Sequence, residues 1–157
     1  MKLITDLDYL TKKEIVNKED FKDYNIFIDY GLEIGIQDIY YKENNCFPSC
    51  VNVIDPTIKQ DIKLKDFTIP ESGYITLNYN ENIFLKSNLK IKTTNNIIGF
   101  ITFKNMYSKN GLLFLSSVII NPNFNGYLSL NVKNINNYHT IMINKFYPLI
   151  NVKFYEI

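Results

Sequence analysis

From Asn25 onward the chain is a succession of short apolar runs. They include Ile26-Phe27-Ile28, Leu32-Glu33-Ile34-Gly35-Ile36, Tyr74-Ile75-Thr76-Leu77, Ile83-Phe84-Leu85, Leu89-Lys90-Ile91-Lys92, Ile97 to Phe103, Gly126 to Leu130 and Ile141-Met142-Ile143. Each is rich in β-branched or aromatic residues, several alternate apolar with polar, and the gaps between them hold Asn, Asp, Gly and Pro. That is strand chemistry punctuated by turns. Many short strands at this spacing specify a mostly β domain, a sandwich, barrel or related closed fold.

Two segments break the pattern. Between Thr5 and Ile15, Leu7, Leu10 and Ile15 fall near one face of a helix that Thr5 or Asp6 can cap. Residues 104 to 110 are polar and end at Gly111, which predicts one short helical turn stopped by a glycine. No repeat, linker or composition break divides the chain, so residues 1–157 are read as a single domain, and nearly half of them are apolar, enough for a sizeable core.

Charge narrows the partners. The formal net charge is +1 with lysines and acids scattered along the chain, so there is no basic field to hold a polyanion, and nucleic acid is not expected as a partner. No stretch approaches the length that spans a bilayer, and Asp6 stands where a secretory signal would be apolar, so no membrane is expected and the location reads as cytoplasmic. Cys46 and Cys50 are spaced so that they could give two zinc ligands or a strained disulfide, and are read as two free thiols, because a zinc site would need two more ligands and His139 is the sole histidine. His139 reads as a turn residue, and no metal site is expected.

The second half carries an ordered series: Ile69-Pro70-Glu71-Ser72-Gly73-Tyr74, then Glu81-Asn82-Ile83-Phe84-Leu85, then Lys104 to Gly111, then Ile120-Asn121-Pro122-Asn123-Phe124-Asn125-Gly126, then Leu128 to Asn134. In order and spacing it resembles the dUTPase and dCTP deaminase superfamily. That family has a proline-rich approach to a glycine, a Thr-x-Glu strand, an Arg-Ser-Ser helix, an Asp-Pro-Gly-aromatic-x-Gly hairpin and a Leu-x-Leu-Glu-x-x-Asn strand. The opening helix followed by Asn25 to Gly35 is similar to the deaminase branch, so the resemblance spans nearly the whole chain.

The resemblance implies a distorted β-barrel of the β-clip kind, a homotrimer, and nucleotide sites between subunits. Phosphate would be gripped near Lys104, Asn105, Ser108 and Lys109, where the family has its Arg-Ser-Ser helix. A lysine there supplies a point charge without the bidentate fork of guanidinium. Phe124 takes the place of the aromatic residue that packs on deoxyribose. Asn123 replaces a glycine and tolerates left-handed backbone better than most residues. A tight hairpin between paired strands is expected over residues 121–126, and a β-branched residue at Gly126 would be costly there if that glycine takes positive φ.

The acids of the family are missing. Asn121 stands where dUTPases position water with an aspartate, and Asn131 where deaminases hold their general base. No carboxylate occurs between Asn82 and Tyr155, and no warrant in the sequence places Asp29, Glu33, Glu71 or Glu81 in the site. Asn151 stands where the family has Gln, and no C-terminal segment is expected to close over a nucleotide. The resemblance therefore implies a catalytically impaired scaffold that binds a deoxynucleotide or a protein partner, with no cofactor beyond Mg²⁺ accompanying a nucleotide. The alternative is an active dUTP diphosphatase or dCTP deaminase using displaced residues.

Overall fold

A computed structural model describes residues 1–43, 57 and 62–157; Cys46 and Cys50 lie outside the described residues. The first elements are β1 (Lys2–Leu3) and α1 (Leu7–Lys12). The Asp6 side chain caps α1 by accepting from the Asp8 amide at 2.9 Å. Leu10 and Ile15 are fully buried, as the sequence pattern predicts. The helix stops where Glu14 turns to φ 55°, and the Lys92 amide then bonds the Ile15 carbonyl at 2.9 Å, tying the segment to the sheet beneath it.

The remaining elements are almost all strands: β2 (Phe27–Ile28), β3 (Gly31–Ile34), β4 (Ile36–Glu43), β5 (Leu64–Thr68), β6 (Tyr74–Leu77), β7 (Asn82–Lys92), β8 (Ile97–Phe103), β9 (Leu112–Phe114), β10 (Ile119–Ile120), β11 (Asn125–Asn134), β12 (Ile141–Asn144) and β13 (Ile150–Glu156). The helical turn α2 (Asn105–Ser108) interrupts them, as expected, and ends before Gly111 at φ 97°. One sheet runs β10-β8-β13-β3-β2 with β1 beside β13, a second runs β5-β4-β7-β11-β9, and β12 pairs with β6 alone.

The chain passes repeatedly from one sheet to the other, so the two large sheets share one core. Along β7 every second side chain is buried, Ile83, Leu85, Leu89 and Ile91 among them, and Leu32, Ile34, Ile150, Val152 and Phe154 add the other sheet's share. Each such side chain contributes roughly 1.5–3 kcal/mol by leaving water. The result is the expected distorted barrel, left open because the sheets do not join into one ring.

Three local expectations are corrected. Ile83 to Leu85 and Leu89 to Lys92 form one strand, because the polar residues between them serve a bulge: the buried Ser87 hydroxyl donates to the Leu89 carbonyl at 2.8 Å and accepts from the Leu128 amide at 2.8 Å. Residues 121–126 are not a hairpin between paired strands. β10 pairs with β8 and β11 with β7 and β9, so the turn crosses between sheets. Nor is Gly126 at positive φ. It lies in β11, and the left-handed residue of the turn is Asn123 at φ 60°, the position the family fills with glycine.

Candidate functional site

The crossing turn is held by Thr93, which is buried. Its hydroxyl donates to the Asn121 carbonyl at 2.7 Å and accepts from the Phe124 amide at 2.9 Å, while the Thr93 amide bonds the Phe124 carbonyl at 2.9 Å. This clamp seats Phe124 part-buried against the core and leaves the Asn121 residue exposed. The hydroxyl is needed because the turn belongs to neither sheet and its polar backbone groups lack ladder partners.

A second group forms at the end of β8. There Lys104 caps α2, its amide bonds the Leu149 carbonyl at 3.0 Å, and its ammonium reaches the Glu33 carboxylate at 2.8 Å. The other oxygen of Glu33 accepts from the Asn151 amide at 2.8 Å. Sheet register explains the meeting: Asn151 on the central strand β13 lies opposite Glu33 on β3 and opposite Thr102 on β8. Glu33 is 3% exposed, and both of its carboxylate oxygens are engaged, one of them by a cation, which offsets the cost of burying the group.

α2 itself offers less. Ser108 points its hydroxyl back to the Lys104 and Asn105 carbonyls at 3.4 and 3.5 Å, and Asn105 and Lys109 are exposed. No ion pair to Lys109 occurs among the described residues. The fixed part of the turn is Tyr107, buried beside the Phe103 ring at 6.0 Å, with its hydroxyl accepting from the Asn144 amide at 3.4 Å. Burial pushes the Tyr107 hydroxyl above the ordinary tyrosine value, with the Asn144 hydrogen bond opposing and Tyr74 adding to the rise.

Asn131 lies further along β11, beside the residues that follow β9. It lies six positions along β11 from Asn125, about 20 Å at ordinary strand rise. Its amide donates to the Ser116 hydroxyl at 2.6 Å and its carbonyl accepts from the Leu115 amide at 2.8 Å. Its side-chain oxygen Oδ1 is buried and finds no partner among the described residues.

Of the candidates from sequence, Asn121 and Phe124 therefore share one clamp, Lys104, Asn105, Ser108 and Lys109 lie on or beside α2, and Asn131 lies on β11. Sequence reasoning missed Glu33, Thr93 and Ser116. Lys104 is already neutralised internally, so it is not the free phosphate cation that its position suggested. Among the described residues no three His, Cys, Asp or Glu side chains gather, and no helix is long and apolar enough to cross a membrane. Chemically the assembled groups can bind and orient, but the amides of Asn121 and Asn131 cannot accept a proton from water at neutral pH, and both Glu33 oxygens are engaged.

No family model and no curated protein matches this sequence. Solved structures do. The 2'-deoxycytidine 5'-triphosphate deaminase of Agrobacterium tumefaciens superposes with a TM-score of 0.72 at 10% identity, covering 98% of this chain and 48% of that chain. This chain thus spans about half the length of that relative. The dUTPase of phage phi11 of S. aureus gives a TM-score of 0.53 at 14% identity, covering 89% of this chain and 86% of its own. The Staphylococcus bacteriophage 80alpha dUTPase gives 0.52 at 12% identity, over 89% and 79%. With identity this low the likeness concerns architecture, and on that architecture the chain has the fold of the dUTPases and dCTP deaminases.

Proposed function

We propose that this protein is a catalytically impaired member of the dUTPase and dCTP deaminase group. It acts as a nucleotide-binding or protein-interaction module on a homotrimeric scaffold. The observation that carries the reading is the state of the carboxylates. By the resemblance of motifs, Asn121 and Asn131 stand at the positions of the family's acids, and the carboxylate that meets Lys104 at the start of α2, Glu33, is engaged by Lys104 and Asn151. Losing a general base costs roughly 10²–10⁴ in rate.

Trimerisation is supported by the relationship of fold. A deoxynucleotide would meet Phe124 and the exposed residues of α2, with Lys109 as a cation that has no ion-pair partner among the described residues and any Mg²⁺ arriving with the nucleotide. An interaction role has precedent in the fold, since the 80alpha phage dUTPase is described as controlling transfer of virulence genes by a proto-oncogenic G protein-like mechanism.

Calorimetry with a panel of deoxy- and ribonucleotides in Mg²⁺, together with light scattering, tests both halves. Binding of a deoxynucleotide weakened by Lys109→Ala and Phe124→Ala, in a particle three times the monomer mass, is the expected result. A monomer at micromolar concentration would remove the scaffold reading.

A further inference from the structure

A cleft of about 810 Å³, lined by none of the candidate residues from the sequence, opens between residues 21–24, the start of β4, the middle of β7 and the turn joining β12 to β13. Its volume lies in the range of small-molecule sites. Its walls are fixed by packing rather than left to solvent. The Tyr24 ring lies against Gly35 so closely that a Cβ there would collide with it, and the Phe146 ring lies against Gly73 in the same way.

The backbone behind each ring is fixed too. Asn25, 5% exposed, accepts from the Lys22 amide at 2.8 Å and exchanges side-chain bonds of 2.7 and 3.2 Å with Asn88 on β7. On the other side, the Lys145 amide bonds the Gly73 carbonyl at 2.8 Å and the Phe146 amide bonds the Asn144 side chain at 2.9 Å. Two aromatic rings held in place on the walls of one cleft suit a flat ring between or upon them.

The cleft's polar groups restrict the class further. Its charged lining residues are Lys22, Asp23, Asp38 and Lys145, two of each sign, and Lys145 is already bound to Asp38 at 2.9 Å and lies 5.2 Å from the Phe146 ring centroid. Such a lining gives a polyphosphate no net attraction. The Gln37 side chain donates to the Ser87 carbonyl at 3.0 Å, which turns its own carbonyl into an acceptor with no donor among the described residues. The buried Ile36 supplies apolar floor.

We infer that this cleft is a binding site for a neutral, planar heteroaromatic ring carrying an N–H donor, of nucleobase size, separate from the α2 region and indifferent to phosphate. The ring stacks on Tyr24 or Phe146 and donates to Gln37. This goes beyond the proposed function and uses none of its residues.

Calorimetry or saturation-transfer NMR with adenosine, guanosine, thymidine and ATP, on the wild type and on Phe146→Leu, Gln37→Leu and Lys109→Ala, tests it. Phe146 is exposed and Gln37 lies on the cleft wall, so neither change threatens the core. Loss of one stacking or acceptor group should weaken nucleoside binding about tenfold. Lys109→Ala should leave it unchanged, and ATP should bind no tighter than adenosine. Three results would overturn the inference: no nucleoside binding at about millimolar concentration, binding that ignores Phe146→Leu and Gln37→Leu, or preference for a Phe- or Tyr-bearing peptide over every nucleoside. Failure of the α2 site would show separately, as loss of the Lys109 dependence of deoxynucleotide binding.

Discussion

Removing either partner of the Lys104–Glu33 pair should have unequal cost, and the inequality follows from burial. Glu33 is 3% exposed while the Lys104 side chain keeps 30% of its surface, so the two charges differ in what they can do alone. In Lys104→Met the carboxylate stays buried with only the Asn151 amide, and an uncompensated buried charge of this kind costs about 3–5 kcal/mol. In Glu33→Gln the new side chain can still accept from Asn151, and the freed ammonium can turn to water. The loss is then of the order of one charge-assisted hydrogen bond, about 1.5–3 kcal/mol. For a chain of this size each kcal/mol moves Tm by about 2–4 °C. Thermal melts at fixed protein concentration should therefore rank wild type, Glu33→Gln, Lys104→Met, with the last lower than wild type by about 10 °C. The double variant should fall by less than the sum of the two. Equal losses, or a harmless Lys104→Met, would refute the claim that Glu33 is a buried charge neutralised by Lys104.

Gly31→Ala should also be damaging, since a Cβ there collides with the Asn151 side chain that bonds Glu33; the melt should drop by at least about 2 kcal/mol equivalent, and a neutral result would mean Asn151 can move away without loss. Asn123→Val should cost about 1–2 kcal/mol because φ is 60° there. Gly126→Ala should be neutral or stabilising by up to about 1 kcal/mol, since its Cβ would sit 3.7 Å from the Phe124 ring in ordinary contact; chemical denaturation of the pair checks both. In an alkaline titration followed by tyrosinate absorbance, Tyr107 and Tyr24 should ionise after the exposed tyrosines, because burial raises both above the ordinary 10.0. The folded state holds those protons more tightly than the unfolded state. Their contribution to stability is thus complete below pH 10.0 and lost as pH climbs through the folded values, so denatured protein should titrate earlier.

The strand pattern, the capped first helix, the turn at 105–108 and the left-handed residue at Asn123 were legible because each is written within a few neighbouring residues. The boundary at Ser87 was not, because a buried hydroxyl serving a bulge looks in sequence like the polar gap between two strands. The turn at 121–126 looked like a hairpin because nothing local says that β10 and β11 belong to different sheets; that is decided by β8 and β7, which claim them first. Glu33 was invisible for the same reason: 71 residues separate it from Lys104, and only the register of β3, β13 and β8 brings them together.

The central claim is that the scaffold has lost its chemistry, and product analysis measures this most directly. Purified protein is incubated with dCTP and with dUTP in Mg²⁺, beside Asn131→Glu and Asn121→Asp, and the products are separated by chromatography. The account predicts no turnover by the unmodified chain above background, since general-base loss alone removes about 10²–10⁴ in rate. Robust formation of dUTP or dUMP by the unmodified protein would contradict it.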